Sequence, residues 1–154
     1  MPNTLQEFLT GATRQAEEEF VAAFLRLPEE KRAWSPEGKA RTALDQVAEC
    51  AILNGHTADL IRTRTWPIGS FESYLQAKAE LCAQGWEQVH ALLQENTRKV
   101  IATFGTVPDE ALSVEVAMPW GPQKLAEILA YPYWNMTYHL GQINYIASML
   151  GCLE

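Results

Sequence analysis

Apolar residues recur every three or four positions along four long segments, and that period commits the chain to amphipathic helices. In the first segment Leu5, Phe8, Leu9, Ala12, Ala16, Phe20, Ala23, Phe24 and Leu27 share a face, and Pro28 ends it. The second is predicted from Thr42, a good N-cap, to near Thr65; Leu44, Val47, Ala48, Ala51, Ile52 and Leu60 form its apolar side. Pro67 and Gly69 close it. Ser70 is the expected cap of a third helix reaching from Phe71 to near Phe104, with Gly85 in its middle as a point of close approach or slight bend. The fourth is expected from near Gln123 to Leu150, with Pro132 kinking it or splitting off its first turns. Residues 105–122 carry no clear helical signal. Val114, Val116 and Met118 alternate there as a weak strand would, and Met118-Pro119-Trp120-Gly121-Pro122 reads as a rigid turn.

Four helices with one apolar face each define an all-α four-helix bundle, with one longer irregular connection before the last helix. Short connections predict antiparallel neighbours, and the long one permits a parallel pair. The 154 residues suit a single domain spanning 1–154, and a 47% hydrophobic content excludes a disordered chain. A net charge of −7, with basic residues scattered, argues against nucleic-acid and anionic-membrane partners. No apolar run approaches the ~20 residues a membrane span needs. The cysteines, Cys50, Cys82 and Cys152, are odd in number and form no CxxC, which suggests a reducing compartment. Met1-Pro2-Asn3-Thr4 forms a polar lead-in to the first helix without a signal-peptide pattern, so a cytoplasmic location is expected.

The last helix holds the most informative polar groups. Asn135, His139 and Gln142 are spaced i, i+4, i+7, on one face beside Ile143 and Ile146. A polar stripe in an apolar helix needs a metal, a ligand or a buried hydrogen-bond network. The second helix carries Asp45, Glu49 and His56, with Glu49 at the border of the apolar face, where an unpaired carboxylate is costly. Glu49, Asn135 and His139 together make a candidate three-ligand metal site of carboxylate, amide oxygen and imidazole; the amide suits harder cations. His56 lies ~10 Å further along its helix and is not expected to share that centre. His56 and His90 read as surface histidines, His90 stacking on Trp86. Tyr131, Tyr133, Trp134, Tyr138 and Tyr145 read as core or interface aromatics, some lining a pocket. No nucleophilic triad, P-loop or dinucleotide fingerprint is present.

Trp34-Ser35-Pro36, the helix from Thr42 through Glu49, the Trp120-Gly121 turn, and Tyr138-His139-Leu140-Gly141-Gln142-Ile143-Asn144-Tyr145 with Leu150-Gly151 resemble the DinB/YfiT-like superfamily of metal-dependent four-helix bundles. The resemblance covers nearly the whole chain, and His-x-Gly-Gln-Ile is its most specific piece. It implies a divalent metal held by three histidines, one on helix two and an HxxxH pair on the last helix. It also implies dimers, and thiol-dependent transferases and isomerases among the characterised branches. Here Glu49 matches the helix-two position, Asn135 the first HxxxH position and His139 the second, so two of the three depart from the pattern.

Two functions are therefore expected. One is a thiol transferase or hydrolase in which Glu49, Asn135 and His139 hold nickel, zinc or manganese, Gln142 steadies the site, and Tyr138 and Trp120 stand at the pocket mouth. The other is a metal-free, non-enzymatic dimeric bundle that binds a small ligand or a protein partner. A homodimer is expected under either.

Overall fold

The computed structural model describes residues 4–154; Met1, Pro2 and Asn3 of the expected polar lead-in lie outside the described residues, and Thr4 caps the first helix. Five α-helices are present among the described residues: α1 Leu5–Arg26, α2 Ala43–Thr63, α3 Phe71–Ala83, α4 Trp86–Phe104 and α5 Leu125–Met149. The fold is all-α apart from a small antiparallel hairpin of β1 Glu115–Val116 and β2 Gln123–Lys124. The Thr42 and Ser70 hydroxyls accept from the backbone N–H groups of Asp45 and Ser73, so both expected caps form. The alternating stretch does form a strand at Glu115–Val116, but its partner is Gln123–Lys124, which moves the start of the last helix to Leu125.

α1, α4, α2 and α5 form the four-helix frame, each packed on the next and α5 closing back on α1. Phe24 stacks on Trp86 while Leu9 lies with Val100 and Phe104, so α1 and α4 are antiparallel. Cys50 meets Asn135 and Gln46 meets His139, so α2 and α5 are antiparallel. Phe8 faces Tyr133 and Arg26 bonds Asn144, so α1 and α5 run parallel. The core divides into two clusters along this frame. One is centred on Phe20, Phe24, Val47, Leu93 and Ile143, the other on Ile61, Phe104, Leu125 and Leu129.

The expected third helix is two. Gly85 has φ +89°, a conformation helices exclude, and the chain reverses there. No heavy atom lies within 4 Å of a Cβ built at Gly85, so close approach is not its role. α3 runs back along α2, with Cys82 beside Leu44 and Lys78 paired with Asp45, and α4 then rises parallel to α2. At Pro132, by contrast, α5 continues unbroken. No described helix is long and apolar enough to cross a membrane.

Candidate functional site

Glu49 projects from α2 toward α5, and His139 projects back from α5. His139 Nε2 donates to Glu49 Oε1 at 2.9 Å. The other Glu49 oxygen accepts from Arg41 Nη1 at 2.8 Å. Arg41 also donates through Nε to Asp45 Oδ2 at 2.5 Å, and Lys78 Nζ from α3 reaches Asp45 Oδ1 at 3.0 Å. Nδ1 of His139 lies 3.1 Å from Gln46 Oε1 and 2.6 Å from Gln142 Oε1. The Gln46 amide is oriented by its own Nε2, which donates to the Arg41 carbonyl at 3.5 Å. Burial opposes ionisation of Glu49, but the His139 hydrogen bond and the Arg41 charge outweigh it and bring its pKa down to about 2.

Of the residues singled out from the sequence, the fold brings Glu49, His139 and Gln142 together. Asn135 and His139 are both only 3% exposed. The Asn135 amide nitrogen donates to Cys50 Sγ at 3.5 Å. Tyr138 is 52% exposed and stacks on Trp134 with ring centroids 5.4 Å apart. Trp120 stands over a cleft and meets Trp66 edge-on at 4.9 Å. His90 stacks on Trp86 at 4.8 Å. His56 is half-buried on the cleft wall, which differs from the surface position expected; burial lowers its pKa despite the opposing charge of Asp59.

That cleft has a volume of about 670 Å³. One wall is the α2 face Glu49, Leu53, His56, Thr57 and Leu60; the others come from the α2–α3 connection, the start of α3, the hairpin turn and α5. Glu49 thus belongs both to the buried network and to the cleft. Tyr74 and Tyr131 line the same space. The Tyr74 hydroxyl is buried without a hydrogen-bond partner. Burial first, then the Glu49 charge, raises the pKa of both phenols, so both keep their protons.

Sequence reasoning missed Arg41, Gln46 and Tyr74 and left Tyr131 among generic aromatics. Two of these carried a usable signal. Arg41 continues the Asp45 and Glu49 spacing backward by four, and Tyr131 continues the Asn135 and His139 spacing in the same way.

The donor chemistry bears on the metal that the fold family implies. Among the described residues no three His, Cys, Asp or Glu side chains gather where they could hold one metal ion. The two best candidates are turned on each other, and the guanidinium of Arg41 sits on the carboxylate oxygen a cation would use. A divalent ion does not fit this donor arrangement without displacing Arg41 and removing the Nε2 proton of His139.

A family model for the DinB superfamily matches residues 12–143. The chain belongs to that superfamily. Its fold is similar to a solved histidine-to-alanine mutant of the mycothiol-dependent maleylpyruvate isomerase, with TM-score 0.76, 13% identity, and coverage of 93% of this chain and 61% of the isomerase. The unmutated isomerase gives TM-score 0.71, 14% identity and the same two coverages. An uncharacterised protein from Clostridium difficile 630 gives TM-score 0.68, 13% identity, and coverage of 96% of this chain and 98% of its own. This chain therefore spans about three fifths of the isomerase's length. No curated protein matches it in sequence.

Proposed function

We propose that this chain is a small-molecule-binding member of the DinB superfamily whose cleft works without a metal ion. The observation that carries this reading is the engagement of both Glu49 oxygens, one by His139 and the other by Arg41. Arg41 supplies a fixed positive charge against the carboxylate where relatives of the family pattern would use a cation. Breaking this pairing to admit a metal takes from Arg41 one of its two carboxylate partners and leaves its charge beside the incoming cation, a cost the metal must overcome. What remains open to a ligand is the cleft itself, whose volume falls within the range of small-molecule sites.

A second reading is favoured by the meeting of Glu49 and His139 from two helices, and by the thiol dependence named in the isomerase structures. Under it, the chain is a divalent-metal-dependent thiol transferase or hydrolase holding nickel, zinc or manganese.

Titration with nickel, zinc and manganese, followed by calorimetry and thermal denaturation, separates the two. The metal-free reading expects no saturable one-to-one binding in the wild type. Saturable binding that raises the melting temperature and disappears in His139→Ala would replace it with the metal-dependent one.

A further inference from the structure

From Ile128 to Leu153 the chain has no Asp, Glu, Lys or Arg, although 20% of all its residues are charged. α5 nonetheless turns one side to solvent. Trp134, Tyr138, Tyr145 and Met149 stand on that outward side, between 48% and 69% exposed. A helix that is uncharged and largely apolar all round gains by burying its outer face as well as its inner one. At half exposure these four side chains offer roughly 400 Å² of apolar surface, the scale of a recognition patch. Exposed Phe8 of α1, edge-on to Tyr133, extends the patch toward the ~800 Å² per partner that a stable dimer needs.

The spacing along the stripe points to its occupant. The intervals are four, seven and four, so the pattern reads the same from either end, with its centre beside Gly141. A foreign partner does not require such a pattern. A two-fold pair does, because each of its contacts is made twice, residue i on j and j on i. Gly141 supports the pairing independently. It is an exposed glycine inside the helix, which costs about 1 kcal/mol against alanine, and a Cβ there would meet no heavy atom within 4 Å. Nothing inside the protomer calls for its small size, whereas a second helix crossing close to it does. Charge agrees. Two chains of net charge −7 repel, and an uncharged face lets them meet without setting like charges together. The same net charge opposes an anionic bilayer.

We propose that the outward face of α5 is the interface of a two-fold dimer in which antiparallel α5 helices cross at Gly141. Tyr138 then faces Tyr145 of the partner subunit, and Trp134 faces Met149 of the partner subunit. This interface backs the candidate site. Trp134 leans on Tyr131 of the cleft wall with ring centroids 5.8 Å apart, and Tyr138 meets the His139 ring edge-on at 5.2 Å. The pairing stands whether or not Glu49 and His139 hold a metal.

Sedimentation equilibrium of the full chain at micromolar concentrations tests it. The wild type is expected at twice the mass of one chain, and its association at about 500 mM salt is no weaker than at about 50 mM, since no ion pair holds the stripe together. Gly141→Leu adds bulk where the protomer has room, so circular dichroism should show the fold retained while the dimer dissociation constant rises at least about tenfold. Orientation is read from Tyr138→Lys and Tyr145→Glu. Only a mixed antiparallel pair sets the new lysine against the new glutamate and leaves tyrosine facing tyrosine. An equimolar mixture should therefore associate at least about tenfold tighter than either variant alone. A monomeric wild type, association that salt weakens, or a Gly141→Leu dimer as tight as wild type overturns the proposal. A mixture no tighter than its components overturns the antiparallel crossing.

Discussion

Glu49→Gln removes the charge shared by Arg41 and His139 while keeping the shape of the side chain. Its cost follows from the pKa of the carboxylate. A fall from the ordinary 4.5 to about 2 means the folded state favours the ionised form. At about 1.4 kcal/mol per pH unit this is worth roughly 3 kcal/mol. The Arg41 side chain is 37% exposed, so solvent screens part of its share and about 2 kcal/mol is the working figure. A depressed carboxylate pKa contributes stability that is fully present above 4.5 and is lost as pH falls through about 2. Urea denaturation of wild type and variant at pH 7, 5, 3.5 and 2.5 reads this directly. The wild type should exceed the variant by about 2 kcal/mol at pH 7 and pH 5, with the gap narrowing below 4.5. A gap below about 0.5 kcal/mol at pH 7, or one that does not narrow in acid, would refute the argument that Glu49 is held ionised by its two partners.

Three further outcomes follow from other parts of the fold. A Cβ at Gly55 would lie 2.6 Å from Asn96 Nδ2, which donates to the Ala51 carbonyl at 2.8 Å. Gly55→Ala should therefore destabilise by about 1–2 kcal/mol in thermal or urea melts, against the ~1 kcal/mol gain usual inside a helix, so the sign alone decides. Gly85→Ala should cost about 1–3 kcal/mol in the same melts, because a side chain is strained at φ +89°. On α5, Trp134, Tyr138, Tyr145 and Met149 form an exposed stripe at spacings of four, seven and four. A second copy covering it gives a dimer mass by light scattering, and Tyr138→Glu with Tyr145→Glu gives a monomer; a monomeric wild type contradicts that pairing.

The bundle was legible because burial imposes a period on sequence, and because Thr42 and Ser70 mark helix starts by their chemistry. The break at Gly85 was not legible in the same way. Cys82, Trp86 and Val89 keep helical spacing straight through it, since both short helices turn apolar sides to the same core. Only the backbone angle reveals the reversal. At the site, Glu49 and His139 stood out because each is costly on an apolar face without a partner. Their partners were harder to foresee. Arg41 precedes its helix and reaches in from a connection, and Tyr74 comes from α3, whose direction depends on the same Gly85 turn. The contact of the Asn135 amide nitrogen with Cys50 depends on how α2 and α5 pack, which spacing along one helix does not reveal.

Elemental mass spectrometry of untagged protein, purified without chelator and compared with His139→Ala, tests the central claim most directly. If Arg41 and His139 hold Glu49 as argued, nickel, zinc and manganese stay far below one equivalent in both proteins, even after incubation with each ion. About one equivalent in the wild type, lost in His139→Ala, would contradict it and make Glu49 and His139 ligands.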